Sequence, residues 1–192
     1  LACNGYLGSL EPRLTGAIMP INNFMLATES LGVERARNLI RNDVAVSDTK
    51  FVVDYFRMSP DYRLLFGGGE NYTRRFPTDI KSFVRRYMLR VFPQLSEVCV
   101  DYAWGGTLAI TRSRLPLFGR LEGDTYYALG YSGQGVALAT LAGQVLSDAI
   151  AGTVEDFDVF ARLPRRQFPG GALLRWPSLA FGMMYYALRD QL

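Results

Sequence analysis

Residues 125–150 restrict what this chain can fold into more than any other stretch. An apolar segment from Thr125 to Leu129 runs into Gly130-Tyr131-Ser132-Gly133-Gln134-Gly135, and a continuous apolar run follows from Val136 to Ile150. The order predicts a strand, a glycine loop and a helix. Glycines let a backbone turn sharply and approach a ligand, and a helix start presents free N–H groups and the positive end of its dipole. Such a loop suits an anion or a polarised oxygen; a tight strand-to-helix turn chosen for close packing is the alternative. The spacing is not the dinucleotide fingerprint Gly-x-Gly-x-x-Gly, and the Lys-Ser/Thr ending of a phosphate-binding loop is absent. A nucleophile elbow needs Gly-x-Ser-x-Gly, and Gln134 stands where its last glycine belongs. The small residues Ala137, Ala139, Ala142 and Gly143 predict a helix that is buried and closely approached.

The chain contains no histidine. That removes Ser-His-Asp and Cys-His catalysis, the commonest zinc ligand and the usual neutral-pH base, so chemistry falls to Tyr, Lys, Asp, Glu, Arg or a cofactor. Cys3 and Cys99 provide neither metal-ligand spacing nor a disulfide framework. The net charge of +3 is mild, and the arginine pairs (Arg35/Arg37, Arg74/Arg75, Arg85/Arg86, Arg112/Arg114, Arg165/Arg166) are spread along the chain. A nucleic-acid partner, which would require a concentrated basic patch, is not expected. The chain opens on Leu1 with neither Met nor a signal-peptide pattern, from which upstream residues are expected.

The remaining elements follow from periodicity. Residues 17–29 read as one long strand or two short ones, with Pro20 favouring an edge or break, and 33–40 as a short helix. Val44–Val46 is strand-like. Phe51–Met58 and Tyr62–Phe66, joined around Pro60-Asp61, form a hairpin ending in Gly67-Gly68-Gly69. Thr78 is placed to cap a helix over 79–91 in which Ile80, Phe83, Val84, Tyr87, Met88 and Val91 share a face; Pro93 stops it. Val98, Val100, Tyr102 and Trp104 alternate with Cys99, Asp101 and Ala103, predicting a half-buried strand that resumes over 107–110 after Gly105-Gly106. A tail carrying Asp156 to Phe160, a loop over 164–171 and an apolar helix from Ser178 to Leu188 complete the chain. That last helix is too short for a membrane span. The fold class expected is α+β, an antiparallel meander followed by the strand–loop–helix unit.

Several stretches together resemble a known family. They are Cys3–Gly8 with Leu10-Glu11-Pro12, Met19-Pro20 through Ala27-Thr28-Glu29, Val53–Arg57 with Leu64–Gly68, and Val91–Leu95. Asp101–Gly106, Pro116–Arg120, the 130–135 loop, Phe157–Arg162 and Phe168–Gly171 continue the series. In order and over nearly the whole chain, they resemble the C-terminal half of the D-amino-acid-oxidase-like FAD-dependent oxidoreductases, in particular the branch that oxidises gamma-glutamylputrescine. The resemblance implies an antiparallel substrate domain and the closing strand–loop–helix of a Rossmann-like FAD-binding domain whose N-terminal half is absent from these residues. Residues 1–12 would end a flavin-domain segment, 13–110 form the substrate domain, 111–152 return to the flavin domain, and 153–192 form a tail.

The implied reaction is oxidation of an amine C–N bond to an imine, with electrons passed through FAD to O2 or another acceptor, in a cytoplasmic enzyme. FAD would be non-covalent, since no cysteine stands where relatives tether it. Residues implied to touch the cofactor are Gly106, Thr111, Arg112, Gly130, Tyr131, Ser132, Gly133, Gln134 and Gly135. Tyr55, Tyr102 and Trp104 are the catalytic, substrate-wall candidates, with core packing as the alternative for each, and Arg57 is a candidate for an anionic substrate group. No metal is implied. Two departures matter: Gln134 replaces a frequent histidine, and Leu108 stands where amino-acid oxidases place a carboxylate-binding arginine, which favours a polyamine derivative such as gamma-glutamylputrescine. The partner expected is the missing nucleotide-binding half, in cis or on a separate chain; the chain alone is expected to be inactive. The alternatives are a non-catalytic subunit of a flavoprotein complex and an inactive gene remnant.

Overall fold

The computed structural model describes residues 1–50, 53–69 and 75–189. Phe51, Val52 and Arg74, which figured in the expected hairpin and arginine pairs, lie outside them. The elements are α1 (Pro12–Thr15), β1 (Ile18–Ser30), α2 (Gly32–Leu39), β2 (Val46–Ser47), β3 (Tyr55–Met58), β4 (Arg63–Gly67) and α3 (Ile80–Val91). β5 (Val100–Thr111), β6 (Leu117–Arg120), β7 (Tyr126–Leu129), α4 (Gly135–Ile150), α5 (Glu155–Ala161) and α6 (Gly171–Arg189) follow. The fold is mixed α+β with antiparallel sheets, as expected. The chain divides into two units, one of Leu1–Ile21 with Leu108–Phe181 and the other of Asn22–Thr107 with Gly182–Leu192.

In the Asn22–Thr107 unit the strands run β2-β3-β4-β1-β5. The β3–β4 hairpin closes with Met58 opposite Leu64 and Tyr55 opposite Gly67, and β4 pairs antiparallel with β1, Met25 facing Gly67. Side chains alternate across such a sheet. Phe24 and Leu26, Met58, and Leu64 and Phe66 all turn to one face, where Val84 and Met88 of α3 pack on them. Phe24, Leu26, Leu64, Phe66, Val84 and Met88 are fully buried. Truncating one of these large side chains to alanine costs about 3–5 kcal/mol. The α3 cap is Asp79, not Thr78: its carboxylate accepts from Ser82 N at 3.0 Å and sits below the usual carboxylate range through a hydrogen bond from the Ser82 side chain and, next, this backbone bond. Thr28, in the same alternation as Phe24 and Leu26, is buried beside a register shift between Ala27 and Ser30, and its Oγ1 accepts from Leu64 N at 2.9 Å.

The alternation expected in β5 holds only in part. Val98 and Val100 pack into the core, but the next core-facing residue is Ala103, while Tyr102 and Trp104 are 59% and 44% exposed. Side-chain parity therefore shifts by one residue between Val100 and Ala103, and the two aromatics turn to the opposite face. Gly105 stays on the core side, where a Cβ would meet the Phe24 ring at 2.5 Å.

The other unit is built on the β6–β7 hairpin, with Phe118 opposite Ala128, and a parallel bridge from Ala2 to Tyr127. One face of α4, formed by Ala142, Val145, Leu146 and Ala149, packs on Phe118, Ala128, Tyr131 and Phe157. The expectation of a helix buried on all sides fails. Val136, Leu141 and Ile150 are exposed among the described residues, Val136 at 97%. The final helix is longer than expected: α6 begins at Gly171 and runs through Pro177. Proline there withholds one N–H from the ladder, which a 19-residue helix tolerates. Arg175 holds the start of this helix by donating from Nη1 to Ile18 O at 2.8 Å and to Thr15 O. Among the described residues no single helix is long and apolar enough to cross a membrane.

Candidate functional site

The glycine loop owes its shape to backbone conformations that favour glycine. Gly130 and Gly133 have φ of +72° and +91°, and Ser132 between them is also left-handed at +53°. The two glycines serve different needs. A Cβ on Gly130 would lie 2.5 Å from Thr111 Cγ2, whereas one on Gly133 would meet nothing within 4 Å. Gly130 N donates to Gly5 O at 2.8 Å and Ser132 N to Ala109 O at 2.9 Å, so the loop is sewn to the first segment and to β5. Thr111 N donates to Ser132 Oγ at 3.1 Å, and the Thr111 hydroxyl donates to Leu115 O at 2.8 Å. The Tyr131 ring lies in the core and its hydroxyl donates to Ala128 O at 3.0 Å; burial pushes this phenol up.

Thr111, Tyr131 and Ser132 thus spend their side chains on building the loop. What the loop offers is backbone. Gln134, exposed, occupies the N-cap of α4 without a side-chain cap bond. Among the described residues, no acceptor takes the amides of Gly133, Gly135, Val136 or Ala137. Free N–H groups at the start of a 16-residue helix form a donor set for electron-rich oxygen or nitrogen. Arg112 is exposed at the end of β5. Leu108, on the other hand, packs with Met19, Ile21 and Ile110.

The three substrate-wall candidates come together in a different way. Tyr55 of β3 and Tyr102 and Trp104 of β5 all occupy the sheet face opposite α3, with Arg57, Arg63, Gly67, Asn23 and the exposed Gly106. Tyr102 and Trp104 are exposed outside the core, whereas Tyr55 is half-buried and packs against Gly67. Tyr102 carries the Arg63 guanidinium 5.3 Å from its ring centroid, and Arg63 pairs with Asp61 and Asp101. Trp104 has no such partner among the described residues. Arg57 is exposed, donates from Nε to Met58 O at 3.3 Å, and has no carboxylate partner among the described residues. Gly106 faces open space: a Cβ there meets nothing within 4 Å.

Asn23 was missed in the sequence. It accepts from the Tyr55 hydroxyl at 2.6 Å, and the only sequence signal was a polar pair, Asn22-Asn23, inside an apolar strand. A surface cavity of about 570 Å³ beside Pro77, Asp79, Ser82, Phe83 and Arg86 contains none of the expected site residues. It is an open hollow along α3.

The family model "DAO: FAD dependent oxidoreductase" matches residues 1–149, and the chain belongs to that family. It is 45% identical along its whole length to gamma-glutamylputrescine oxidoreductase of Escherichia coli, covering 45% of that protein. It is 39% identical to a probable oxidoreductase, OrdL, of Rhizobium meliloti, covering 44% of that one. The chain thus spans less than half the length of these curated relatives. Among solved structures, glycine oxidase from Geobacillus kaustophilus superposes with a TM-score of 0.60 at 16% identity, over 79% of this chain and 40% of that one, which shows the shared fold.

Proposed function

We propose that the chain is the C-terminal portion of a flavin-dependent amine oxidoreductase, its Leu1–Ile21/Leu108–Phe181 unit contributing to the FAD site and its Asn22–Thr107 unit to the substrate site. The observation that carries this reading is the sheet face of the second unit opposite α3, which in a chain of this family carries the exposed Tyr102 and Trp104 on β5 and the half-buried Tyr55 on β3. An aromatic surface of this kind holds an amine cation or its alkyl chain. Because Arg63 already lies on Tyr102, Trp104 is the ring assigned to the substrate.

The donor set of the glycine loop fits FAD. The amides of Gly133, Gly135, Val136 and Ala137 and the dipole of α4 match the electron-rich edge of a flavin ring, and the open space over Gly133 leaves room for a close approach. Bound FAD supplies the acceptor for the hydride equivalent taken from the carbon beside the amine. Cys3 and Cys99 are exposed and outside the loop, in keeping with non-covalent binding. The substrate favoured is gamma-glutamylputrescine, the compound named in the Escherichia coli relative. Leu108, packed among apolar side chains, offers no cation for an α-carboxylate, while Arg57 stands on the same face as Tyr55 for a more distant one.

The exposed apolar face of α4 also calls for a covering surface. A nucleotide-binding half encoded upstream supplies it in cis; a separate flavoprotein chain supplies it in the alternative reading of a partner-dependent subunit. Purification of the full-length gene product tests the proposal. A yellow protein whose flavin is released on denaturation is expected; a colourless one that stays colourless with added FAD refutes it.

A further inference from the structure

Asn23 stands on β1, mid-strand, on the face that carries Tyr55. The Tyr55 ring lies against Gly67, its register partner on β4, so closely that a Cβ on Gly67 would fall 2.2 Å from Tyr55 Cζ and 2.5 Å from its hydroxyl oxygen. Glycine at that position is therefore the floor on which the ring rests. At the far end of the ring the hydroxyl reaches Asn23 and donates to its Oδ1 at 2.6 Å. A tyrosine hydroxyl has one proton and two lone pairs. Once that proton is given to Asn23, the oxygen can only accept.

From this geometry we propose that Asn23 is a positioning residue: by taking the Tyr55 hydroxyl proton it fixes Tyr55 Oη as an acceptor for the N–H of an amine substrate. The inference deepens the functional reading above and rests on it. It gives the site a preference for donors. A protonated or neutral amine matches an acceptor-only hydroxyl, whereas an alcohol of the same shape would have to redirect the Asn23 bond. Gly67 and Asn23 together hold the ring in plane and the oxygen in place, so neither needs to touch substrate for its replacement to weaken substrate binding.

The test uses the full-length flavoprotein and follows flavin reduction by gamma-glutamylputrescine and by simple amines. For Asn23→Leu, one lost hydrogen bond corresponds to a rise in KM of about 5-fold, with kcat within about 2-fold of the parent. Asn23→Asp, which still accepts, keeps KM at or below the parent value. In a Tyr55→Phe background, which has no hydroxyl to orient, Asn23→Leu adds less than about 2-fold, the signature of residues acting through one bond. Should Asn23→Leu fail to fold, Asn23→Ala replaces it in both backgrounds. An unchanged KM in Asn23→Leu, or effects of Asn23→Leu and Tyr55→Phe that multiply, would overturn the inference while leaving the functional reading intact. A parent enzyme reduced by no amine would overturn both.

Discussion

Gly130→Ala probes whether the loop is held by close approach or by backbone conformation alone. At φ +72° an alanine pays left-handed strain of about 1–2 kcal/mol. Its Cβ would also lie 2.5 Å from Thr111 Cγ2, and Thr111 is 2% exposed with its hydroxyl tied to Leu115 O, so its methyl has nowhere to swing. Overpacking of this kind adds about 1–3 kcal/mol. Gly133→Ala is the control, because it bears the strain without the clash: φ is +91° and the space around its Cβ is empty. At roughly 2–4 °C per kcal/mol for a chain of 150–250 residues, the combined ~2–5 kcal/mol of Gly130→Ala should lower the thermal midpoint by about 4–20 °C, and the ~1–2 kcal/mol of Gly133→Ala by about 2–8 °C. Thr111→Ser removes the methyl that clashes, so the double variant with Gly130→Ala should recover most of the difference. The assay is thermal unfolding of the full-length protein followed by tryptophan fluorescence. Equal shifts for the two alanines, or no rescue by Thr111→Ser, would refute the packing of Gly130 on β5.

Two further perturbations separate stability from ligand contact. Gly106→Ala places its methyl in open space, so the melting temperature should hold within about 1 °C while the visible flavin spectrum or KM shifts; a large loss of stability with an unaltered spectrum would remove Gly106 from the site. Tyr127 and Tyr131 have phenol pKa values raised by burial, with Arg165 partly opposing the rise at Tyr127. A raised folded-state value means their contribution is complete below the unfolded value of about 10 and is lost as pH climbs through the folded one, so the thermal midpoint should fall above about pH 10. Tyr131→Phe should flatten that decline, and an unchanged alkaline profile would contradict the assignment.

The sequence carried the strand–loop–helix, the β3–β4 hairpin and α3 because each has a local signal: glycine spacing, a β-branched and aromatic run, and a 3.6-residue apolar stripe. What it hid depended on tertiary contacts. The parity shift in β5 is invisible in the strict alternation from Val98 to Trp104, and only packing against Phe24 shows that Ala103 and Gly105, not Tyr102 and Trp104, face the core. That shift matters most for the site, since it puts two aromatics on the open face. The apolar composition of α4 could not distinguish burial within this chain from burial against another surface, and Val136 is exposed here. The final helix, expected from Ser178, starts instead at Gly171, and Arg175 anchors its first turns to Ile18. Of the loop residues, the glycines were legible as conformational needs. The side chains of Thr111, Tyr131 and Ser132 turn out to build the loop, and the N–H groups without an acceptor among the described residues are those of Gly133, Gly135, Val136 and Ala137.

The central claim is that this chain contributes to a flavin enzyme that oxidises an amine, and anaerobic reduction of the full-length protein tests it directly. Gamma-glutamylputrescine should bleach the flavin absorbance faster than putrescine, other simple amines or glycine at equal concentration, and oxygen should restore it. Flavin that none of these amines bleaches would contradict the account.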